Sequence, residues 1–198
     1  QFNCSGVSKN KFKGLLIDGN LKSCSKACEI FNKKGFDVKV LNHWIKLDSL
    51  HPLENFVKEN DNCLGILSVD IDGNDYWVLK QILKFIKPQL IIVEYNATFG
   101  RKSISVPYKE DFERHKEHVS GWYHGASFNA FKKLLNDYYL VENLDGLNLI
   151  FISKDKIEDV ENFDLNVKYS ECQLRNKWSG LNADEQFNII KSLKFEKV

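Results

Sequence analysis

The stretch that decides the fold is Ile-Leu-Ser-Val-Asp-Ile-Asp-Gly-Asn-Asp, residues 66–75. Its first half is mainly apolar, its second half carries carboxylates and a glycine, and apolar residues at helical spacing follow. This order is typical of a buried parallel strand that ends in a polar turn before a helix. We predict a strand over residues 64–71, with Asp70 at its tip and Asp72 just beyond it.

The same pattern recurs about one strand and one helix later in the chain. Pro88 ends the predicted helix, an apolar run follows, and Glu94-Tyr95-Asn96 closes it, which predicts a strand over residues 89–95. Residues two apart on a strand point to the same side, so Glu94 and Asn96 are expected to share a face. Because open α/β sheets bind ligands at the carboxyl ends of their strands, Asp70 and Glu94 are expected to lie side by side at one pocket.

The rest of the chain continues the alternation of strands and helices. Further strands are predicted over residues 14–18, 38–41, 138–141 and 149–152, and further helices from Leu21 to a stop at Gly35, after an N-cap at Asn74, and over residues 127–135, with a short helix or irregular connection over residues 53–58. The last two strands are joined around Asp145-Gly146, a hairpin-like turn signal.

These elements predict an α/β fold, a Rossmann-like three-layer sandwich with a mostly parallel sheet and an antiparallel terminal strand pair. The 198 residues are expected to form a single domain, with its core over residues 14–154 and a C-terminal extension over residues 155–198. The extension is charged and ends in an amphipathic segment around Phe187, Ile190 and Leu193.

Composition narrows the classes of partner. With 28 basic and 27 acidic residues, the net charge of +1 creates no long-range field for nucleic acid or an anionic membrane, so a small, locally recognised ligand is expected. No apolar stretch approaches the roughly 18 residues of a membrane span, and the start of the chain lacks a leader pattern, which together predict a cytoplasmic location. Five cysteines without a C-x-x-C pair are interpreted as buried free thiols.

A long polar segment, residues 96–125, is predicted to be an irregular functional lid. It carries three histidines, and His124 is the strongest candidate for a general base on a substrate hydroxyl, ahead of His115 and His118. The alternative is that all three are solvated polar groups. Trp122 and Tyr123 either pack internally or form a platform that stacks on a sugar.

The acidic residues suggest two kinds of site. Asp18, at the end of the first strand, is placed to accept hydrogen bonds from ribose hydroxyls, or else is an exposed turn acid. Asp70, Glu94 and Asn96 could hold a hard cation such as Mg²⁺ through oxygen atoms, or could instead bind substrate or backbone. A calcium loop beginning at Asp70 is excluded because Asp75 falls where that loop needs glycine.

The last residues of the turn after Asp70 are predicted to have structural roles. Gly73 is predicted to allow the sharp turn. Asp75 is expected to sit in the positively charged first turn of the following helix, where it stabilises the fold rather than acting in chemistry.

Four motifs in order resemble the FkbM-related branch of the class I S-adenosylmethionine-dependent methyltransferases. They are Leu-Leu-Ile-Asp-Gly-Asn (residues 15–20), Leu-Ser-Val-Asp-Ile-Asp-Gly-Asn-Asp-Tyr-Trp (67–77), Ile-Val-Glu-Tyr-Asn (92–96) and Tyr-His-Gly-Ala-Ser (123–127). The resemblance covers residues 14–154 and implies a sheet whose last strand is reversed.

The resemblance also implies roles for single residues. Asp18, together with Gly19, would bind the cofactor, and Asp70 and Asp72 would line the edge between cofactor and acceptor. Glu94 and Asn96 would face the acceptor. Metal-dependent relatives such as catechol O-methyltransferase place acid and amide ligands at the same two strand ends, which keeps Mg²⁺ among the expectations.

The chain departs from this family in one respect. A strand and a glycine-rich turn are expected before Asp18, but residues 1–12 contain no apolar strand ending in G-x-G, and the chain contains no methionine. We expect that this element either is encoded upstream or is degenerate here.

The function predicted from the sequence is methyl transfer from S-adenosylmethionine to an oxygen of a small polar acceptor, such as a sugar or glycolipid intermediate. Two alternatives stay open at this point. One is a catalytically inactive methyltransferase-like binding or scaffold protein, and the other is a different α/β enzyme that depends on a metal or a sugar nucleotide.

Overall fold

The structure is a computed structural model that describes residues 12–156 and 163–198. These residues form an α/β fold that divides into two compact units, Gln1–Leu64 and Gly65–Val198. Residues 1–11, for which no glycine-rich turn was predicted, lie outside the described residues, as do residues 157–162 of the C-terminal extension. No helix within the described ranges has the length and apolar character needed to cross a membrane.

The first unit is a strand–helix–strand arrangement followed by a short helix. Its elements are β1 (Gly14–Asp18), α1 (Leu21–Lys34), β2 (Val38–Asn42) and α2 (His51–Lys58). The two strands are parallel, and Asp18 pairs with Asn42 at their carboxyl ends. Helix α1 ends at Gly35, which adopts the left-handed conformation with φ of 65°. The predicted strands, helix and helix stop are therefore confirmed.

The second unit contains the other elements, which we number in chain order. They are β3 (Ile66–Val69), α3 (Asp75–Ile82), β4 (Leu90–Glu94), β5 (Ile104–Ser105), α4 (Arg114–Glu117), α5 (Phe128–Leu134), β6 (Tyr138–Leu144), β7 (Asn148–Ser153), α6 (Gln173–Ser179), α7 (Ala183–Ile190) and β8 (Glu196–Lys197), with 3-10 helices at Ala97–Phe99 and Lys154–Lys156.

The main sheet of this unit has the strand order β3-β4-β7-β6. Strands β3 and β4 are parallel, while β7 is antiparallel to both β4 and β6. Consequently β3, β4 and β6 run in one direction and β7 runs against them. The turn between β6 and β7 contains Asp145 and Gly146, with φ of 53° and 72°, which confirms the predicted antiparallel terminal pair.

Helix α3 differs in detail from the prediction. Leu79 is fully buried, whereas Phe85 lies beyond the end of the helix and is 36% exposed. The side chain of Asn74 does not cap the helix but donates a hydrogen bond to the backbone oxygen of Lys109. The apolar face of the helix is formed by Tyr76, Val78, Leu79 and Ile82, and the helix ends at Ile82.

The segment predicted to be a lid is packed. Its residues Phe99, Val106, Phe112 and Tyr123 form a buried cluster with Ile190 of α7, which we call the C-terminal core. Strand β5, from the same segment, pairs with β8 at the end of the chain. The C-terminal extension is therefore an integral part of the second unit.

Replacing Phe99 with alanine is expected to lower the free energy of unfolding by about 3–5 kcal/mol, because a fully buried ring is removed and a cavity remains. Urea denaturation followed by circular dichroism measures this change. Phe85→Ala is the matched control, since this ring is exposed and its loss should change stability little. Equal effects of the two substitutions would contradict the position of the C-terminal core.

Candidate functional site

The carboxyl ends of β3 and β4 bring two acids together. Val69 pairs with Val93 at the end of the parallel ladder, so Asp70 and Glu94 follow at neighbouring positions on the same edge. The charge of Asp70 contributes to raising the pKa of Glu94, which also reflects their closeness. The structure therefore places Asp70 and Glu94 side by side, as the sequence predicts.

The turn after β3 uses its residues differently from the prediction. Asp72, not Gly73, adopts the left-handed conformation, with φ of 57°. Gly73 is required for another reason, because a Cβ atom there would overlap the ring of Phe112. Gly73 lies in the sharp turn as predicted, but the left-handed backbone angle belongs to Asp72, and the missing side chain of Gly73 makes room for Phe112.

Asp75 holds this turn together. Its two carboxylate oxygens accept hydrogen bonds from the backbone N–H groups of Ile71 and Gly73, each at 2.9 Å. Burial raises the pKa of Asp75 to about 6, although these hydrogen bonds oppose the shift. Both oxygens are engaged with backbone, which agrees with the structural role predicted for Asp75.

Glu94 is a nearly buried acid, with a side chain that is 12% exposed. Burial, followed by the charges of Asp75 and Asp70, raises the pKa of Glu94 to about 8, while Arg114 and Arg175 act in the opposite direction. Its nearest cation is Arg175, whose Nη2 lies 3.9 Å from Oε1, which is too far for a hydrogen bond. This weak attraction does not offset burial, so the Glu94 carboxyl is protonated at neutral pH.

Two arginines that sequence reasoning missed belong to the site. Arg114 of α4 donates from Nη1 to Asp72 at 2.8 Å and from Nε to the backbone oxygen of Gly121 at 2.6 Å. Arg175 of α6 donates from Nη1 to Asn96 at 2.9 Å and to Thr98 at 3.3 Å. No local pattern distinguishes either arginine from the many other charged residues of the chain.

The side-chain amide of Asn96 makes all of its hydrogen bonds within the protein. Its Nδ2 donates to the backbone oxygens of Trp122 and His124 at 2.6 and 2.8 Å, and its Oδ1 accepts from the backbone of Thr98 and from Arg175. Both amide hydrogens and both lone pairs of the oxygen are thus used. The structure therefore removes Asn96 from the predicted substrate-binding and metal-binding residues and gives it a structural role.

His124 differs from the other two histidines of its segment. It is fully buried, and its Nε2 has no hydrogen-bond partner among the described residues. Burial, together with the positive charges of Arg114 and Arg175, holds the pKa of His124 well below 6.5, so the ring is neutral. His118 instead contacts the Ser120 hydroxyl at 2.8 Å.

The two aromatic residues before His124 are packing residues. Tyr123 is buried in the C-terminal core and donates its hydroxyl hydrogen to the backbone oxygen of Lys194. Trp122 is partly buried against the same core. The sequence left two roles open for Trp122 and Tyr123. In the structure they pack internally and do not form an exposed stacking platform.

Asp18 and Gly19 lie at the carboxyl end of β1 in the first unit. One carboxylate oxygen of Asp18 accepts the backbone N–H of Asn20 at 2.6 Å, and the side chain is partly exposed. The indole of Trp44, which is 47% exposed, covers Gly19 so closely that a Cβ atom would overlap it. Gly19 thus makes room for the partly exposed indole of Trp44. The carboxylate of Asp18 is carried by the residue immediately before Gly19.

The site does not fit a metal ion. Within residues 12–156 and 163–198, no group of three or more histidines, cysteines or acids is arranged to hold one. Asn96 has no lone pair left, and hard cations such as Mg²⁺ need several oxygen ligands.

The acidic edge of the second unit thus combines a protonated glutamate, two arginines and a neutral histidine with an unpartnered nitrogen. Comparisons with known protein families, curated proteins and solved structures find no match for this chain.

Proposed function

We propose that this protein transfers a methyl group from S-adenosylmethionine to an oxygen of a small polar acceptor, such as a sugar or glycolipid intermediate. The observation that carries the proposal is the adjacency of Asp70 and Glu94 at the carboxyl ends of two paired parallel strands. This edge is where open α/β sheets bind their ligands. Methyl transfer is an in-line displacement, so the protein mainly has to position its substrates.

The strand directions of the second unit support the proposal. Three strands run in one direction and β7 runs against them between β4 and β6. A reversed last strand is what the resemblance to FkbM-related methyltransferases implies. The Rossmann-like sandwich with a mostly parallel sheet is part of the same proposal.

The first unit offers groups that fit an adenosyl cofactor. A carboxylate such as that of Asp18 suits two adjacent ribose hydroxyls, and the partly exposed indole of Trp44 suits a flat aromatic base. S-adenosylmethionine, when bound, supplies an electrophilic methyl group. Asp18 and Trp44 would bind and orient its adenosine part.

The second unit, taken by itself, contains two groups suited to a hydroxyl acceptor. His124 is unprotonated because of its lowered pKa, and its Nε2 has no partner among the described residues, so it would accept the hydrogen of the acceptor hydroxyl. A weak base suffices there, because the hydroxyl becomes strongly acidic as its oxygen bonds to the methyl group. The protonated carboxyl of Glu94 would orient the acceptor by a hydrogen bond.

Calorimetric titration with S-adenosylmethionine tests the proposal. We expect saturable binding to the unaltered protein and at least about tenfold weaker binding to Asp18→Asn, because an amide cannot accept from both ribose hydroxyls. Asp37→Asn is the matched control, because exposed Asp37 precedes β2 at the opposite end of the same strand pair and should leave the affinity unchanged.

Two results would contradict the proposal. The first is the absence of binding to the unaltered protein, which would favour the inactive binding protein. The second is an unchanged affinity of Asp18→Asn, which would favour a different α/β enzyme.

A further inference from the structure

Two histidines of the first unit lie against each other beyond the carboxyl end of β2. His43 directly follows the last residue of that strand, and His51 is the first residue of α2. Their ring centres are 5.6 Å apart, with an angle of 77° between the ring planes. Neither side chain takes part in the proposed methyl transfer, so the pair is a separate feature of the first unit.

The ring of His43 is held in one tautomer by the loop that follows β2. Its Nε2 lies 2.9 Å from the backbone oxygen of Ser49. A carbonyl oxygen only accepts hydrogen bonds, so Nε2 carries the hydrogen and, in the neutral ring, Nδ1 carries the lone pair. Nδ1 has no hydrogen-bond partner among the described residues. Histidines that bind metal ions typically donate their second ring nitrogen to a carbonyl in this way.

Ser49 is itself fixed within this loop. Its hydroxyl oxygen accepts from the backbone N–H of Lys46 at 2.8 Å, and its hydroxyl lies 3.2 Å from the backbone oxygen of Trp44. The carbonyl that orients His43 therefore belongs to a braced turn. A ligand whose orientation is set before the ion arrives costs little to order on binding.

The side chain of His51 is able to complete a site with His43. It is exposed, and its ring nitrogens have no hydrogen-bond partner among the described residues, so the ring turns freely enough to present either nitrogen. Zinc lies about 2.0–2.1 Å from an imidazole nitrogen, hence about 3.2 Å from the ring centre. Two rings on one ion therefore have centres up to about 6.4 Å apart, and the observed 5.6 Å lies within that span.

We propose that His43 and His51 together bind a zinc ion, through Nδ1 of His43 and one ring nitrogen of His51, with water in the remaining positions. Imidazole suits zinc, whereas Mg²⁺ prefers oxygen ligands. Because zinc has no geometric preference from its d electrons, it accepts the angle that the two rings impose. With two protein ligands, the pair is consistent with the lack of any metal-binding group of three or more within residues 12–156 and 163–198.

Calorimetric titration with zinc chloride tests the site in the protein without cofactor. We expect one zinc ion per protein, with a dissociation constant between about 1 and 100 µM. His43→Gln and His51→Gln should each weaken binding at least about tenfold, because a single imidazole lacks the effective concentration that the second one provides. His118→Gln, at a histidine of the second unit, is the matched control and should bind zinc as the unaltered protein does. Magnesium chloride should give no binding.

The double variant His43→Gln, His51→Gln separates one shared ion from two independent sites. For a shared ion, the double variant should bind about as weakly as either single variant, because each single change already removes the pair. Two ions per protein, with one lost in each single variant, would show adventitious binding to separate imidazoles and overturn the proposal. An unchanged affinity in either single variant, or no zinc binding to the unaltered protein, would also overturn it.

Nitrogen-15 NMR of the histidine side chains identifies the atom that binds. Zinc should shift the Nδ1 signal of His43, while Nε2 keeps its hydrogen and its bond to Ser49. Loss of the Nε2 hydrogen on zinc addition would contradict the assigned geometry. Neither experiment requires S-adenosylmethionine, so the zinc site and the methyltransferase stand or fall separately.

Discussion

Replacing Asn96 with alanine is expected to lower the free energy of unfolding by about 3–5 kcal/mol. The substitution removes four hydrogen bonds at a fully buried position. It leaves the backbone oxygens of Trp122 and His124 without the Asn96 amide and Arg175 with Thr98 as its remaining hydrogen-bond partner, and each unsatisfied buried group costs about 1–3 kcal/mol.

Urea denaturation at neutral pH, followed by circular dichroism, measures this loss. Asn188→Ala is the control, because Asn188 is an exposed amide on α7 and its removal should change stability by less than about 0.5 kcal/mol. A loss for Asn96→Ala no greater than that of the control would show that the hydrogen bonds of Asn96 do not hold the site together. It would also reopen Asn96 as a ligand-binding residue.

Glu94 is expected to give the protein a stability that declines as pH rises. In the folded protein its pKa is raised to about 8 by burial and by Asp75 and Asp70, whereas an unfolded chain releases this proton near 4.5. Between these values the folded state binds one proton more than the unfolded state, so raising the pH favours unfolding. At about 1.4 kcal/mol per pH unit, the loss is on the order of 4 kcal/mol by pH 8.

Glu94→Gln separates this effect from the rest of the molecule. Glutamine keeps the shape and carries no charge at any pH, so the variant should lose most of the decline in stability and become the more stable protein as the pH rises above about 5. A smaller decline in stability, which ends near pH 6, is caused by the raised pKa of Asp75 and should remain in the variant.

Urea denaturation at a series of pH values provides the measurement, with Glu142→Gln, an exposed acid on β6, as the control. The unaltered protein and Glu94→Gln should have similar stability near pH 5 and diverge above it. Parallel curves for the two proteins would contradict the raised pKa and place an ionised Glu94 in contact with Arg175.

The strands and helices from β1 to β4 and from α5 to β7 were predictable because they depend on local patterns, whereas β5, α4, α6 and β8 were not predicted. The buried run before Asp70 and the glycine after α1 each act through periodicity or backbone preference within a few residues of sequence. Adjacency of Asp70 and Glu94 was predictable as well, since two successive parallel strands end at the same edge of a sheet.

Which polar side chains are hydrogen-bonded or packed within the protein was not predictable in the same way. Asn96 and Tyr123 look like site residues in the sequence, yet one is bonded on all sides and the other is packed in the C-terminal core. Whether a polar group is satisfied depends on which carbonyls and hydroxyls surround it in space, and those come from distant parts of the chain.

The amino-acid sequence by itself determined the order of the main strands and helices and the pair of acids at one sheet edge, because periodicity and turn chemistry are local. Only the tertiary structure decided which groups at that edge remain available. Helix α6 follows β4 by a long stretch of chain, and packing alone brings Arg175 to Asn96 and Glu94. Burial of these groups beside one another then sets their protonation, because the cost of a charge depends on its surroundings in space and not on its neighbours in sequence.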